Sequence, residues 1–297
     1  MRYPPVEPQK GLDFTKTVHH DTYPEIDPAT KSDCSGKYVF ISGASKGLGR
    51  ATALSYAKAG AEGIAIGARS DLSTLEAELA AAAEAVGKKA PRVLALKLDV
   101  LEEASIQAAA RRTDEVFGRL DIVINNAGFL SDFVPLLDSD SADYWANYEI
   151  NLRGIYLTTK AFLPLLLRCG GDRTIINLTS IGALSLFAGA SGYQVSKLAV
   201  IRFTEFINVD YADQGVLAYS LHPGGVVTEL AMKMPQHAHH LLIDTAELAS
   251  DTIVFLTAQR REWLAGRYIS CPWDMPELLS REEEIVSADK LKLKMAF

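Results

Sequence analysis

The sequence predicts an α/β protein, a single doubly wound domain with a mostly seven-stranded parallel sheet and helices on both faces. Three observations lead to this fold class. Short apolar runs alternate with helical patterns along most of the chain. The runs are continuously apolar, which is typical of parallel strands buried on both faces. No repeat or interdomain linker interrupts the series, so the 297 residues are assigned to one domain with a large core.

The strands are assigned from short apolar runs, and the helices from apolar residues that recur every three or four positions. The predicted strands cover 38–42, 63–68, 92–98, 121–125, 174–178, 216–221 and a segment near Tyr268. The first predicted helix begins at a glycine-rich loop and ends at residue 59. The other predicted helices cover 72–86, 102–117, 141–167, 193–212 and 245–257. The helix over 141–167 is expected to be continuous.

The two ends of the chain differ from this alternating pattern. Residues 1–35 contain five prolines and no clear periodicity, which predicts an N-terminal arm that lies over the domain or stays mobile. The α/β domain is assigned to residues 36–275, and residues 276–297 are assigned to a C-terminal tail.

The composition limits the classes of function. Hydrophobic residues make up 48% of the chain and charged residues 23%, as in ordinary soluble globular proteins. The net charge of −7 argues against a general nucleic-acid or anionic-membrane surface. No apolar run reaches the length of a membrane helix. An odd set of distant cysteines, Cys34, Cys169 and Cys271, and no signal peptide favour reduced thiols in a cytoplasmic protein.

Three glycines stand between the first strand and the first helix, as Gly43-x-x-x-Gly47-x-Gly49. Such glycines allow a tight turn, close approach of a pyrophosphate and close packing of helix on strand. The helix N-terminus then offers N–H groups and a positive dipole end to phosphates. The pattern predicts a dinucleotide site; the alternative is a glycine-rich turn without a ligand.

The end of the second strand predicts which dinucleotide is bound. A carboxylate there would bind the ribose diol of NAD, whereas an arginine accommodates the 2′-phosphate of NADP. The strand ends in Ala68-Arg69-Ser70, and Lys46 in the glycine loop adds a second cation. Asp71 is expected to act as the N-cap of the next helix. NADP(H) is therefore predicted over NAD(H).

Acid/base chemistry is predicted where Tyr193 precedes Lys197 by four positions, which places both side chains on one face of a helix. A neighbouring ammonium is expected to lower the pKa of the phenol. Ser180 follows the fifth predicted strand, at the sheet edge where open α/β sheets carry out their chemistry. Chance placement of a tyrosine and a lysine on a surface helix is the alternative.

Together these motifs resemble the short-chain dehydrogenase/reductase family over about residues 37 to 271. The glycine loop matches the family's cofactor loop, and Asn125-Asn126-Ala127-Gly128 matches the motif after its fourth strand. Asp99 matches the residue that touches adenine, and Pro223-Gly224-x-x-x-Thr228 matches the turn and the threonine near the nicotinamide amide. The resemblance implies a Rossmann-type, NADP-binding catalytic domain.

The resemblance also implies roles for individual residues. Tyr193 would exchange a proton with the substrate oxygen, Ser180 would hold that oxygen, and Lys197 would lower the pKa of Tyr193 and bind the nicotinamide ribose. Asn151 would hold a water that relays protons. The implied cofactor-binding residues are Gly43, Ser45, Lys46, Gly47, Leu48, Arg69, Asp99, Val100, Asn126, Ala127, Gly128, Tyr193, Lys197, Pro223, Gly224, Val226 and Thr228.

The sequence departs from the family pattern at two places. Ser42 precedes the first glycine where threonine is usual, although a hydroxyl is kept, and the usual glycine pair is missing after the last strand. Relatives form dimers or tetramers, so a homodimer or homotetramer is expected. His237, His239 and His240 fall in the loop-rich stretch after Thr228, where the family places a mobile flap over the substrate; a metal site is the weaker alternative and none is predicted.

The function predicted from the sequence is an NADP(H)-dependent oxidoreductase that interconverts a carbonyl and a secondary alcohol, with a small-molecule substrate and no nucleic-acid or membrane partner. The alternative is an NADP(H)-binding redox sensor or scaffold without turnover. An extended-branch epimerase or dehydratase would show another glycine spacing, and an enoyl reductase would separate the tyrosine and lysine further. Substrate choice is expected to lie in the 184–192 and 229–245 loops.

Overall fold

The computed structural model describes residues 11–168 and 170–295, in which seven strands form one sheet. The strands are β1 (Tyr38–Ser42), β2 (Gly63–Ala68), β3 (Arg92–Lys97), β4 (Ile122–Asn125), β5 (Thr174–Leu178), β6 (Leu217–His222) and β7 (Tyr268–Ser270). Their order is β3-β2-β1-β4-β5-β6-β7, and every neighbouring pair is parallel. The predicted strands therefore match the sheet closely.

Helices cover both faces of this sheet. They are α1 (Gly47–Lys58), α2 (Leu75–Glu84), α3 (Glu103–Phe117), α4 (Ser141–Tyr148), α5 (Gly154–Arg168), α6 (Ser191–Tyr211), α7 (Ala246–Ala258), α8 (Met275–Ser280) and α9 (Glu282–Ser287). Buried side chains of α1, α2 and α7 pack on one face, and those of α3 and α5 pack on the other. The predicted doubly wound α/β fold, with a seven-stranded parallel sheet, is confirmed.

The strand order places a crevice at one edge of the sheet. The chain runs outward from β1 to β2 and β3 and then returns to β4 on the other side of β1. In such sheets the loops beyond β1 and β4 separate, and ligands bind between them at the carboxyl ends of the strands. The glycine loop follows β1, and the Asn126 loop follows β4, so both lie at this crevice.

The prediction of one continuous helix over 141–167 is wrong. The helix ends at Tyr148, and the next five residues, Glu149–Arg153, are wound as a π-helix before α5 begins. Asn151 is at the centre of the π-helical turn, and its side chain is fully buried. Periodicity cannot reveal such an interruption, because one wider turn leaves the apolar pattern on either side intact. π-helical turns of this kind often occur at functional sites.

The described part of the arm, residues 11–35, lies against the domain. Ile26 is fully buried, and the hydroxyl of Tyr23 accepts a hydrogen bond from the backbone N–H of Met275 (2.8 Å). The backbone N–H of Lys16 donates to the Glu277 carboxylate in α8 (2.9 Å). Residues 1–10 of the predicted arm lie outside the described residues, as do residues 296 and 297 of the predicted tail.

No helix in the described ranges is long and apolar enough to cross a membrane. Cys34 and Cys271 are buried free thiols, and burial raises the pKa of Cys34 to about 12. Both thiols are thus chemically quiet at neutral pH. Cys169 lies outside the described residues.

Candidate cofactor and active site

A cleft of about 490 Å³ lies beyond the carboxyl ends of β1, β2, β3 and β4. Its lining includes many of the residues predicted to bind the cofactor, namely Gly43, Ser45, Lys46, Gly47, Leu48, Arg69, Asp99, Val100, Asn126, Ala127, Gly128 and Thr228. Ala68, Phe129, Ile150, Glu229 and Leu230 also line it. The remaining predicted residues, Tyr193, Lys197, Pro223, Gly224 and Val226, are not part of this lining.

The three glycines of the loop serve different purposes. Gly43 and Gly47 have positive φ angles of 69° and 55°, which favour glycine. A Cβ on Gly49 would lie only 2.3 Å from the carbonyl oxygen of Gly43, so Gly49 is required for close packing of α1 on the loop. The side chain of the N-cap residue, Lys46, makes no capping hydrogen bond to α1 within the described residues. The first N–H groups of α1 are therefore oriented to receive an anion, and the cradle fits a dinucleotide pyrophosphate.

Ser42 joins the glycine loop to the Asn126 loop across the crevice. Its hydroxyl accepts hydrogen bonds from the backbone N–H groups of Asn126 (3.0 Å) and Ala127 (3.1 Å). The Asn126 side chain returns two bonds, to the carbonyl oxygens of Ser42 (2.9 Å) and Gly43 (3.1 Å). The hydroxyl that replaces the family's usual threonine thus holds the two loops together.

Charged residues lie just beyond the carboxyl ends of β2 and β3, at one end of the cleft. Arg69 is exposed directly after β2. The expectation that Asp71 caps the next helix is wrong: Thr74 precedes α2, and Asp71 instead accepts hydrogen bonds from Ser73, from its N–H (3.0 Å) and its hydroxyl (2.6 Å). The Asp99 carboxylate accepts a hydrogen bond from the N–H of Leu101 (3.0 Å).

Lys46 forms an ion pair with Glu229, a residue that the sequence argument missed. The pair links the glycine loop to the segment after Thr228, across the cleft that both residues line. Both side chains are mostly exposed, so the ion pair is weak, and either residue can leave it to bind a stronger partner. Nothing in the sequence near Glu229 indicates this contact.

Tyr193 and Lys197 lie on α6, and Ser180 lies just beyond β5. The Lys197 ammonium is 5.8 Å from the centroid of the Tyr193 ring and donates a hydrogen bond to the carbonyl oxygen of Leu178, the last residue of β5 (2.9 Å). The Ser180 hydroxyl accepts a hydrogen bond from the N–H of Gly182 (3.0 Å) and lies close enough to Tyr193 to affect the pKa of the phenol. The structure therefore brings the predicted phenol, hydroxyl and ammonium together at the carboxyl end of β5.

The expected lowering of the Tyr193 pKa is wrong for this structure. Burial raises the pKa of Tyr193 above its ordinary value, and the nearby Ser180 hydroxyl only partly offsets that effect. Burial also lowers the pKa of Lys197 from 10.5 to about 8. Desolvation is the largest effect on the phenol, and the Lys197 ammonium donates instead to the Leu178 carbonyl. Tyr193 is thus a protonated acid at neutral pH.

Asn151 organises the site rather than projecting freely into it. Its side-chain oxygen accepts from the N–H of Phe129 (2.8 Å), and its amide donates to the carbonyl oxygen of Phe129 (2.9 Å) and to the hydroxyl of Ser196 (3.0 Å). Both amide hydrogens are used, so the side chain ties the Asn126 loop to α6. The proposed water relay stays a prediction, and a water at the side chain would have to donate to its oxygen.

Pro223 and Gly224 form a turn directly after β6, and Thr228 lies four residues beyond Gly224. The Thr228 hydroxyl accepts from the N–H of Ala231 (3.0 Å), which starts a short 3₁₀ helix. The N–H of Gly225 donates to the carboxylate of Asp244 (2.6 Å), another residue missed from the sequence. Nineteen positions separate these partners, so no local pattern could reveal them.

The histidine cluster is in a 3₁₀ helix, Gln236–Leu241. His239 bonds to the carbonyl oxygen of Met234 (2.8 Å) and His240 to that of His237 (2.8 Å). Within the described ranges, no three histidine, cysteine or acidic side chains come together as a metal site. His222 ends β6, and its burial lowers its pKa to about 3, so this imidazole is neutral.

Comparison with known proteins bears on this site. A family model described as short chain dehydrogenase matches residues 37–239. The short chain dehydrogenase mpl6 of Monascus purpureus is 50% identical over 295 residues, covering 99% of both chains. The short chain dehydrogenase pigC of Monascus ruber is 44% identical over 288 residues, covering 96% of this chain and 94% of its own.

Solved structures show the same relationship. An alcohol dehydrogenase from the archaeon Thermococcus sibiricus, complexed with 5-hydroxy-NADP, is 28% identical with a TM-score of 0.66, covering 79% of this chain and 95% of its own. A short-chain type dehydrogenase/reductase from Mycobacterium marinum is 27% identical with a TM-score of 0.70, covering 80% of this chain and 94% of its own. The chain belongs to the short-chain dehydrogenase/reductase family of oxidoreductases, whose members bind nicotinamide cofactors.

Proposed function

We propose that the protein is an NADP(H)-dependent oxidoreductase that interconverts a carbonyl and a secondary alcohol. The observation that carries this proposal is the grouping of Tyr193, Ser180 and Lys197 at the carboxyl end of β5. The Asn126 loop at the cleft is tied to the same helix, α6, through Asn151 and Ser196. A hydride donor bound in the cleft would therefore have an acid and a second hydroxyl within the same site.

The preference for NADP(H) rests on charge. Arg69 is exposed at the end of β2, where the family discriminates between the two dinucleotides. The carboxylate of Asp71 lies three positions past the last residue of β2, where it accepts two hydrogen bonds from Ser73, so the strand itself ends without a carboxylate for a ribose diol. Lys46 adds a second cation at the lining of the cleft. The relative from Thermococcus sibiricus was solved with an NADP derivative, in line with this preference.

Three side chains supply and stabilise the proton transfer to the substrate oxygen. Tyr193 is protonated at neutral pH, so it donates its proton to the substrate oxygen as that oxygen becomes negative during reduction. Ser180 donates a second hydrogen bond to the same oxygen and fixes its position. Lys197, held by the Leu178 carbonyl, keeps a positive charge beside the phenol as the proton leaves. The bound nicotinamide supplies or accepts the hydride.

The substrate is expected to be apolar. The loops that follow β4, β5 and β6 carry exposed apolar side chains: Leu136, Leu137, Leu186, Phe187, Met232, Leu241 and Ile243. The loop after β5 is anchored to α6 because the N–H of Phe187 donates to the Gln194 side chain (3.0 Å). The loop after β4 touches it through a bond from the N–H of Val134 to the carbonyl of Gly189 (3.1 Å).

The test is nucleotide fluorescence and turnover with the purified protein. NADPH, and not NADH, is expected to show altered fluorescence on binding, and consumption is expected with ketones or quinones from a panel weighted toward apolar compounds. Tight NADPH binding with no turnover on a broad panel would favour the redox-sensor alternative. Absence of binding by either nucleotide would contradict the proposal.

A second copy of this chain is the proposed partner. The outer faces of α4, α5 and α6 carry exposed apolar side chains, including Trp145 (60% exposed), Tyr156 (44%) and Phe206 (55%). An apolar surface of this kind is typical of a subunit interface. Light scattering after gel filtration is expected to give a dimer or tetramer, and Phe206→Glu is expected to shift it toward monomer. A wild-type monomer at micromolar concentration would refute this.

A further inference from the structure

We infer that Asp244, together with His20 of the N-terminal arm, is a positioning residue for the nicotinamide end of the site. The inference rests on the proposed function, because the turn that Asp244 holds, Pro223–Gly225, includes the residues that the family resemblance places near the nicotinamide. Asp244 would act through this turn and not on the substrate itself. The N-terminal arm would then help to position the active-site turn.

Asp244 forms two hydrogen bonds with the Pro223–Gly225 turn. Its Oδ2 accepts from the N–H of Gly225 (2.6 Å), and its own N–H donates to the carbonyl oxygen of Gly225 (2.9 Å). Gly224 has a φ of +95°, and a Cβ there would lie 2.6 Å from the same Oδ2. The carboxylate is therefore in direct contact with two successive residues of the turn, and its side chain is only 6% exposed.

The other carboxylate oxygen is bound by the arm. Oδ1 of Asp244 lies 2.6 Å from Nδ1 of His20. The arm is fastened beside it, since the N–H of Thr245 donates to the carbonyl of His20 (2.9 Å) and its hydroxyl donates to Asp21 (2.8 Å). One oxygen of this buried carboxylate contacts the turn and the other contacts the arm. The position of the arm therefore affects the position of the turn.

The adjacent residue offers an internal control. His19 bonds through Nε2 to Asp274 (2.9 Å), a pair of the same chemistry on the same arm. Asp274, however, caps α8 by accepting from the N–H of Glu277 (2.7 Å), and it makes no contact with the Pro223–Gly225 turn among its hydrogen bonds in the described residues. Loss of either pair is expected to loosen the arm, whereas only loss of the His20–Asp244 pair is expected to loosen the turn as well.

The experiment compares His20→Ala and Asp244→Ala with His19→Ala and Asp274→Ala. The first two variants are expected to lower kcat about tenfold while the NADPH dissociation constant changes less than about threefold, because a displaced reacting group costs rate and the adenine half of the cleft is untouched. The two controls are expected to keep kcat within about twofold, with similar or larger losses in melting temperature. Asp244→Asn, which keeps an acceptor for Gly225, is expected to restore most of kcat.

Hydrogen exchange provides a readout that does not depend on the proposed function. His20→Ala and Asp244→Ala are expected to speed amide exchange in residues 223–228 of the protein without nucleotide, and the His19 and Asp274 variants are not. Equal effects of the two pairs on exchange and kcat, or unchanged exchange in Asp244→Ala, would overturn the inference. A wild-type protein that binds no nucleotide would overturn the proposed function, while the exchange comparison would still decide the role of Asp244.

Discussion

Replacing Arg69 by alanine tests the cofactor preference most directly. The side chain is exposed at the carboxyl end of β2, beside the cleft. A fully exposed ion pair contributes up to about 1 kcal/mol, and a hydrogen bond to a charged group contributes about 1.5–3 kcal/mol. An exposed guanidinium on a 2′-phosphate falls between these values, so Arg69→Ala should weaken NADPH affinity about tenfold.

The loss for Lys46→Ala should be smaller. Lys46 is paired with Glu229, so it must give up one carboxylate before it can bind a phosphate. The order of effects on NADPH affinity is therefore Arg69 first and Lys46 second, and the effect of Arg69→Ala should shrink as salt concentration rises.

The assay measures kcat/KM with NADPH and with NADH for each variant. Arg112→Ala is the matched control, because it removes the same charge from the exposed face of α3, where Arg112 pairs with Glu115 (3.1 Å). NADH values should be unchanged in all variants. Equal losses with NADPH and NADH in Arg69→Ala, or a wild-type preference for NADH, would refute the reasoning from charge.

Four further changes have expected results. Tyr193→Phe should reduce turnover by several orders of magnitude while NADPH still binds, and a loss under about tenfold would remove the tyrosine from the chemistry. In pH profiles, carbonyl reduction should be constant near neutral pH and fall as pH rises through about 8, where Lys197 loses its charge; a rate that rises there would contradict this. Ser42→Ala leaves the partly buried N–H of Ala127 without its acceptor, so calorimetry should show about 1 kcal/mol of lost stability, whereas Ser42→Thr should not. Glu229→Gln should tighten NADPH binding up to about fivefold by freeing the glycine-loop lysine, and weaker binding would show that the pair supports the site.

The sequence by itself determined most of the fold. Continuously apolar runs separated by helical patterns are sufficient to indicate a covered parallel sheet, and the observed strands begin and end within a residue or two of their predicted limits. The glycine loop was also readable, because tight turns and close packing demand glycine for local steric reasons, as at Gly43 and Gly49. The cytoplasmic location and the roles of the catalytic residues stay predictions.

Only the tertiary structure decided the features that depend on distant partners. The π-helical turn at Asn151 leaves no trace in the apolar pattern, yet it places that side chain between the Asn126 loop and α6. The pKa of Tyr193 depends on how deeply the phenol is buried and on where Lys197 donates, which spacing along a helix does not specify. The contact of Asp244 with both Gly225 and His20 joins three segments that only the fold brings together.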